Sequence, residues 1–190
     1  KIKKINDKWN DIETAKINIY KWRDNGYHPK AAAQLCYDDE NLYVRLEAYE
    51  TKIRAEHKRL NDSVCEDSCL EFFFKPTGQK EYINIEMNSI GTMLIGIGAD
   101  RNDRKALTPD IKLFDIKPSV NSEKWSIEYK IPFTFMKEIY GDFKIKDGFM
   151  GNFYKCGDNT EFPHFGMWNE VINETEDFHK PEYFAPIYIG

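Results

Sequence analysis

The run Glu66-Asp67-Ser68-Cys69-Leu70-Glu71-Phe72-Phe73-Phe74 is followed, after the turn Pro76-Thr77-Gly78-Gln79, by Tyr82-Ile83-Asn84-Ile85-Glu86-Met87-Asn88. Both runs, inside the stretch Val64 to Gly91, read as adjacent β-strands. Successive side chains of an extended strand point to opposite faces. Leu70, Phe72 and Phe74 therefore share one face, and Cys69, Glu71 and Phe73 the other. In the second run Ile83, Ile85 and Met87 fall together, opposite Tyr82, Asn84, Glu86 and Asn88. Each strand has one apolar face for a core. The second strand's other face is wholly polar, and the first puts a carboxylate there. Polar groups at a fixed spacing on a rigid sheet suit a hydrogen-bonding ligand such as a sugar.

The same alternation extends in both directions. Ala33, Leu35 and Tyr37 lead into the turn-rich Asp38-Asp39-Glu40-Asn41, and Leu42, Val44, Leu46 and Ala48 return, giving a hairpin over Ala31 to Glu50. Lys1 to Tyr20 reads as an edge strand and loops. Thr92 to Gly98 is a small-residue strand in which Gly91, Gly96 and Gly98 mark bends or close backbone approach. Ile111 to Val120 and Trp125 to Ile131 read as a further strand pair, stopped by Pro132. Phe133 to Tyr140 makes about two helical turns, with Gly141 as the stop. Phe149 to Cys156 places Met150, Asn152, Tyr154 and Cys156 on one side and Phe149, Gly151, Phe153 and Lys155 on the other. Gly157 to Tyr183 is loop-like and carries Trp168, and Tyr183 to Ile189 is a last short strand. Short strands between turn signals predict an all-β chain, an antiparallel, jelly-roll-like β-sandwich with one short helix, forming a single domain over residues 1–190.

Composition narrows the function classes. Lys+Arg 27 against Asp+Glu 32 gives a formal net charge of -5. The basic run Lys52 to Arg59 is interrupted by Glu56 and reads as a solvated loop, so nucleic acid is disfavoured as a partner. Aromatic residues make up 15%, which suits both a β-rich core and stacking surfaces. No apolar run reaches the length of a membrane span and no signal peptide is visible, so no membrane partner is expected. The chain opens at Lys1, which leaves the compartment open: secreted or cell-surface if a signal has been trimmed, cytoplasmic otherwise. A monomer is expected. The cysteines Cys36, Cys65, Cys69 and Cys156 match no zinc framework. On one extended strand Cys65 and Cys69 would stand about 13 Å apart, beyond the roughly 7 Å limit of a disulfide. All four read as free thiols.

Taken in order, several pieces form a family pattern. They are Tyr37-Asp38-Asp39 with Leu42-Tyr43-Val44, Glu66-Asp67-Ser68 with Glu71-Phe72-Phe73, Tyr82 to Asn88 with Gly91, and Trp125 with Glu128 and Ile131-Pro132-Phe133. Gly151-Asn152-Phe153-Tyr154-Lys155-Cys156-Gly157-Asp158, His164-Phe165 with Trp168, and Asp177-Phe178-His179-Lys180-Pro181-Glu182 with Phe184 complete it. Over roughly residues 30–190 this series resembles the family 9 carbohydrate-binding modules, and is most similar to the family-9-like branch. The resemblance implies a β-sandwich that binds an oligo- or polysaccharide, in founding members at the reducing ends of glucan and xylan chains. There two tryptophans sandwich the sugar ring while charged and amide side chains bind its hydroxyls.

Carried over, the sheet acid falls on Glu71, the next strand's polar residues on Tyr82, Asn84 and Glu86, and the late stacking tryptophan on Trp168. Lys155 is a candidate donor. This chain departs from the pattern where the first sandwich tryptophan belongs, having Val64 and Cys65 there. The wall is then missing or supplied by Trp22, Tyr27 or Tyr82, and the sugar stays open. No cofactor is required. The resemblance also implies structural calcium, for which Asp38, Asp39 and Asp67 offer oxygens. His164 and His179 read as structural anchors.

Two other classes compete. Glu71 and Glu86 on neighbouring strands have a spacing compatible with glycoside hydrolysis, which needs two carboxylates about 5–10 Å apart. A haem-binding sandwich would draw on Met93, His57, His164 or Lys155 for iron, although no Cys-x-x-Cys-His attachment signal exists.

Overall fold

The computed structural model describes residues 2–4, 9–50 and 52–189. Its early strands are β1 (Lys3–Lys4), β2 (Thr14–Ile17), β3 (Ile19–Tyr20), β4 (Ala31–Tyr37) and β5 (Asn41–Ala48). The middle of the chain gives β6 (Cys69–Pro76), β7 (Tyr82–Asn88), β8 (Met93–Gly98), β9 (Lys105–Ala106), β10 (Lys117–Val120) and β11 (Trp125–Pro132). After the helix α1 (Phe133–Tyr140) come β12 (Phe149–Cys156), β13 (Phe165–Met167) and β14 (Ala185–Ile187).

These strands form two sheets. One runs β1-β4-β5-β11-β10, with β2 sharing the outer edge of β4 with β1. The other runs β3-β13-β12-β6-β7-β8-β9, with β14 beside β13 on the edge of β12. All pairings between named strands are antiparallel except β1 with β4. The expected β-sandwich is therefore present. At the chain's extremities Ile2 and Ile189 form a parallel bridge, and the Ile2 N–H donates to the Tyr188 carbonyl at 2.6 Å.

The core between the sheets is built from the faces that alternation assigned to it. Leu70, Phe72 and Phe74 of β6 and Ile83, Ile85 and Met87 of β7 pack with Val44, Leu46, Trp125 and Ile127 of the opposing sheet. Phe72 stacks on Phe74 at 4.6 Å and on Phe153 at 4.7 Å between ring centroids. Burying such rings supplies roughly 25 cal/mol per Å² of apolar surface removed from water.

The opposite face of the larger sheet is also covered. Cys69, Phe73, Tyr82, Tyr154 and Cys156 are buried there beneath Trp22, Val171, Phe178 and Phe184. Residues 171–184 thus add a third layer, which the period-2 pattern of the strands does not announce.

Four local expectations change. The first organising strand begins at Cys69, because Val64–Glu66 forms a 3-10 turn. Asp67 holds that bend by accepting the backbone N–H groups of Glu56 and His57 and the Asn88 side-chain amide. Ile111 to Val120 is not one strand. Ile111–Phe114 is a 3-10 turn capped by the Asp110 side chain on the Lys112 N–H, and only Lys117–Val120 pairs with β11. The loop-like segment from Gly157 contains β13, which lies along β12. The last strand is Ala185–Ile187, preceded by a 3-10 turn at Pro181–Tyr183. Of the N-terminal edge expected over Lys1 to Tyr20, residues 1 and 5–8 lie outside the described residues.

Candidate functional site

Three adjacent strands supply a polar patch on the outer face of the larger sheet. The register sets Glu71 of β6 directly opposite Glu86 of β7, with Cys69 opposite both Asn88 and Cys156. Directly opposed side chains have Cβ atoms about 4.5–5.5 Å apart, and like charges at that spacing repel. Both carboxyls are buried, Glu71 at 2% exposure and Glu86 at 4%. Burial, and then the charge of Glu86, raise the Glu71 pKa well above the ordinary carboxyl range. Burial raises Glu86 to about 7, against the pull of Arg104 and the Asn84 amide. Glu71 therefore favours its protonated form at neutral pH, while Glu86 is poised to gain or lose its proton there.

Hydrogen bonds fix the two acids. The Cys156 thiol donates to Glu71 Oε1 at 2.9 Å, while Glu71 Oε2 is buried without a hydrogen-bond partner among the described residues. Asn84 Nδ2 donates to Glu86 Oε1 at 2.9 Å, and Arg104 stands 3.5 Å from the same oxygen.

Arg104 arrives on the segment between β8 and β9. Gly98 makes that approach possible, since a Cβ there would lie 2.6 Å from Arg104 Cα. His179 then fixes the guanidinium: Arg104 Nη1 donates to Nε2 at 2.7 Å. A guanidinium can only donate, so Nε2 accepts and Nδ1 carries the proton, which it gives to the Tyr82 hydroxyl at 2.7 Å. Burial and the neighbouring arginines lower His179 to about 3, so the ring is neutral.

Above this floor lies a cavity of ≈ 360 Å³, lined among others by Trp22, Glu71, Glu86, Arg104, Asp158 and Phe178. Its volume falls in the roughly 300–1,000 Å³ range of small-molecule sites. Trp22 and Phe178 form an aromatic wall with ring centroids 5.5 Å apart, and Trp22 Nε1 donates to the Asn173 carbonyl at 2.9 Å. Arg101 is anchored by Asp177 at 2.9 Å, and Arg23 pairs with Glu176 while lying over the Phe165 ring. Burial raises Asp158 to about 6. Guanidinium donors, carboxyl groups and aromatic faces thus converge on one concave surface.

Among the residues singled out in the sequence, Glu71, Glu86 and Trp22 line this cavity. Asn84 and Tyr82 are fully buried beside it and act through Glu86 and His179. Two others lie elsewhere. Lys155 is on the inner face, fully buried, with its three ammonium protons directed at Glu50 Oε2 (3.0 Å), His164 Nε2 (2.7 Å) and the Cys156 carbonyl (2.8 Å). It cannot reach a ligand in the outer cavity. Trp168 packs on Phe153 at 5.5 Å and lines a separate, larger cavity of ≈ 570 Å³ between the sheet edges. Size does not select that cavity as the site, because the guanidinium and buried carboxyl groups converge on the smaller one.

The sequence reading missed Arg101, Arg104, Phe165, Phe178, Asp158 and Cys156. The one signal for Arg104 was the pair Gly96 and Gly98, which marked close backbone approach.

Two of the carboxylates offered for calcium, Asp67 and Asp38, are engaged by hydrogen-bond donors. Asp67 accepts from two backbone amides and an Asn side chain, and Asp38 from the Glu40 and Asn41 amides and the Tyr43 hydroxyl. These oxygens face hydrogen-bond donors, not an oxygen cage open to a cation. The candidate haem ligands are engaged similarly, with His57 Nε2 3.2 Å from Glu66 Oε2. Both ring nitrogens of His164 are engaged, by Lys155 and by the Phe162 carbonyl, and Met93 packs in the core.

Comparison with known proteins bears on the whole chain. A model of the family described as carbohydrate-binding family 9 matches residues 3–189. A crystal structure of a proposed carbohydrate-binding protein from Bacteroides uniformis is 28% identical with a TM-score of 0.85, covering 95% of this chain and 88% of that one. A family 9 carbohydrate-binding module from Caldicellulosiruptor kristjanssonii in complex with glucose is 15% identical with a TM-score of 0.66, covering 98% and 88%. The module from that organism in complex with cellotriose is 15% identical with a TM-score of 0.68, covering 99% and 91%. No curated protein matches the chain.

Proposed function

The chain belongs to carbohydrate-binding family 9, whose function is non-catalytic carbohydrate binding, and on that premise we propose that it holds its sugar in the outer-face cavity. The observation that carries this reading is the convergence of Glu71, Glu86 and Arg104 on a floor walled by Trp22 and Phe178. A sugar ring presents an apolar C–H face and a rim of hydroxyls. The aromatic wall suits the face, and the carboxyl and guanidinium groups suit the rim.

The ligand we infer is the terminal glucose of a glucan chain or the terminal xylose of a xylan chain. The glucose and cellotriose held by the Caldicellulosiruptor module support the sugar class. Trp22 takes the place of the wall that Val64 and Cys65 cannot supply. Glu86 and Arg104 bind hydroxyls, Asn84 orients Glu86, and His179 orients Arg104. Net affinity is modest, because each sugar hydrogen bond replaces one with water.

Titration calorimetry with glucose, cellobiose, xylobiose and cellobiitol tests this, with Trp22→Ala, Glu86→Gln and Trp168→Ala alongside. Binding should weaken at least tenfold in the first two variants and hold in the third. Loss of binding only with cellobiitol would show that the reducing end is read. Wild-type affinity in Trp22→Ala together with loss in Trp168→Ala would move the site to the other cavity.

A further inference from the structure

Beneath the cavity floor lies a pair of thiols that sugar recognition does not use, beside the Glu71 carboxyl that it shares. Cys69 and Cys156 are directly opposed across β6 and β12, and Glu71 stands two residues along from Cys69 on the same face. The two sulfurs and a Glu71 carboxylate oxygen all lie within 4.8 Å of one another. Cys156 Sγ is 2.9 Å from Glu71 Oε1. Second, and independently, Glu71 Oε2 is buried with no hydrogen-bond partner among the described residues. An orphaned carboxylate oxygen inside a protein is costly unless something compensates it.

We propose that Cys69, Cys156 and Glu71 form a three-ligand site for a thiophilic divalent cation of the zinc class. Two thiolates and a carboxylate are ligand types that zinc accepts, and three protein ligands leave a fourth tetrahedral position open. Sulfur donors select against calcium and magnesium, which take oxygen cages. Glu71 and Cys156 line the cavity, so the cation has an entry path and its open position faces the space above the floor. Cys65, beside them on the cavity wall, adds a further thiol to that path. Binding releases the ligand protons to solvent. The ion ties together β6 and β12, whose ligands lie 87 residues apart (69 to 156), which is why no local Cys spacing announces it.

The test uses the full chain, reduced with a non-thiol reductant, exposed to zinc alone and desalted before elemental analysis. One zinc per chain should remain, and less than a tenth of that in Cys69→Ser/Cys156→Ser. Cobalt(II) in place of zinc should give sulfur-to-metal charge-transfer absorption in wild type. Glu71→Gln keeps both thiols, so it reports even if the double variant fails to fold. It should weaken zinc affinity by about tenfold or more while retaining the charge-transfer band. Wild type that retains no zinc, or a double variant that retains as much as wild type, overturns the proposal. The readout is metal content, so its failure is distinct from failure to bind a sugar.

Discussion

Lys155→Met is the substitution that most sharply separates the structure from the sequence reading. Methionine keeps most of the volume of the lysine stem, so little cavity forms. What is lost is the ammonium that sits 3.0 Å from Glu50 Oε2 and 2.7 Å from His164 Nε2. Glu50 then keeps the Trp125 indole N–H at 2.8 Å and the Ser68 hydroxyl at 3.4 Å, with His164 Nε2 3.7 Å away, at 2% exposure. Removing one member of a buried ion pair typically costs ~3–5 kcal/mol, because the other charge stays buried uncompensated.

In wild type, the Lys155 charge and the Trp125 hydrogen bond outweigh burial and hold the Glu50 carboxyl below its ordinary pKa. Without the lysine, burial dominates, so the penalty should shrink as pH falls and Glu50 takes up a proton. Urea unfolding at neutral pH should show the midpoint falling with the slope unchanged. Lys155→Met/Glu50→Gln should recover a large part of the loss, since two buried charges leave together. Sugar affinity of the folded variant should equal wild type, as Lys155 faces away from the outer cavity. A stability loss under ~1 kcal/mol combined with lost sugar binding would refute this placement.

Arg104→Ala should lower sugar affinity by about ten- to a hundredfold, the value of a hydrogen bond to a charged group. It should also let His179 titrate higher than its wild-type value of about 3, read from the ring proton shifts by NMR. His164 is pushed down to about 4 chiefly by burial and then by Lys155. The unfolded ring takes its proton near 6.5, so this contribution to stability is complete above that pH and is lost as pH falls to about 4. His164→Asn should therefore narrow its stability gap to wild type by ~3 kcal/mol across that window, measured by denaturation at several pH values. Asp67→Asn turns an amide donor toward the N–H groups of Glu56 and His57. It should cost ~2–4 kcal/mol and speed amide exchange over residues 54–57.

The strand faces were legible because they rest on a local period of two. Leu70, Phe72 and Phe74 went inward and Glu71 and Glu86 outward, as their spacing requires. Lys155 carried the same signal: it shares parity with Phe149 and Phe153, both in the inner core. Its charge drew it to the ligand, when a partner in Glu50, more than a hundred residues earlier, satisfies it indoors. Trp168 follows Met167, whose side chain packs on the outer face, so the next position turns inward. Of the cavity walls the sequence offered only Trp22, as one of three aromatics able to replace the missing tryptophan. Trp22, Arg104 and Phe178 come from three separated loops, and only tertiary packing brings them over β6 and β7.

The bridge between Ile2 and Ile189 places the entry and exit of the chain side by side. A fold whose ends meet can be closed into a ring by a short linker and reopened at an exposed turn. The exposed, polar turn over residues 77–80 is such a place. A permutant opened there should keep both sheets, and the same adjacency lets the domain be spliced into a surface loop of a host protein without forcing that loop apart.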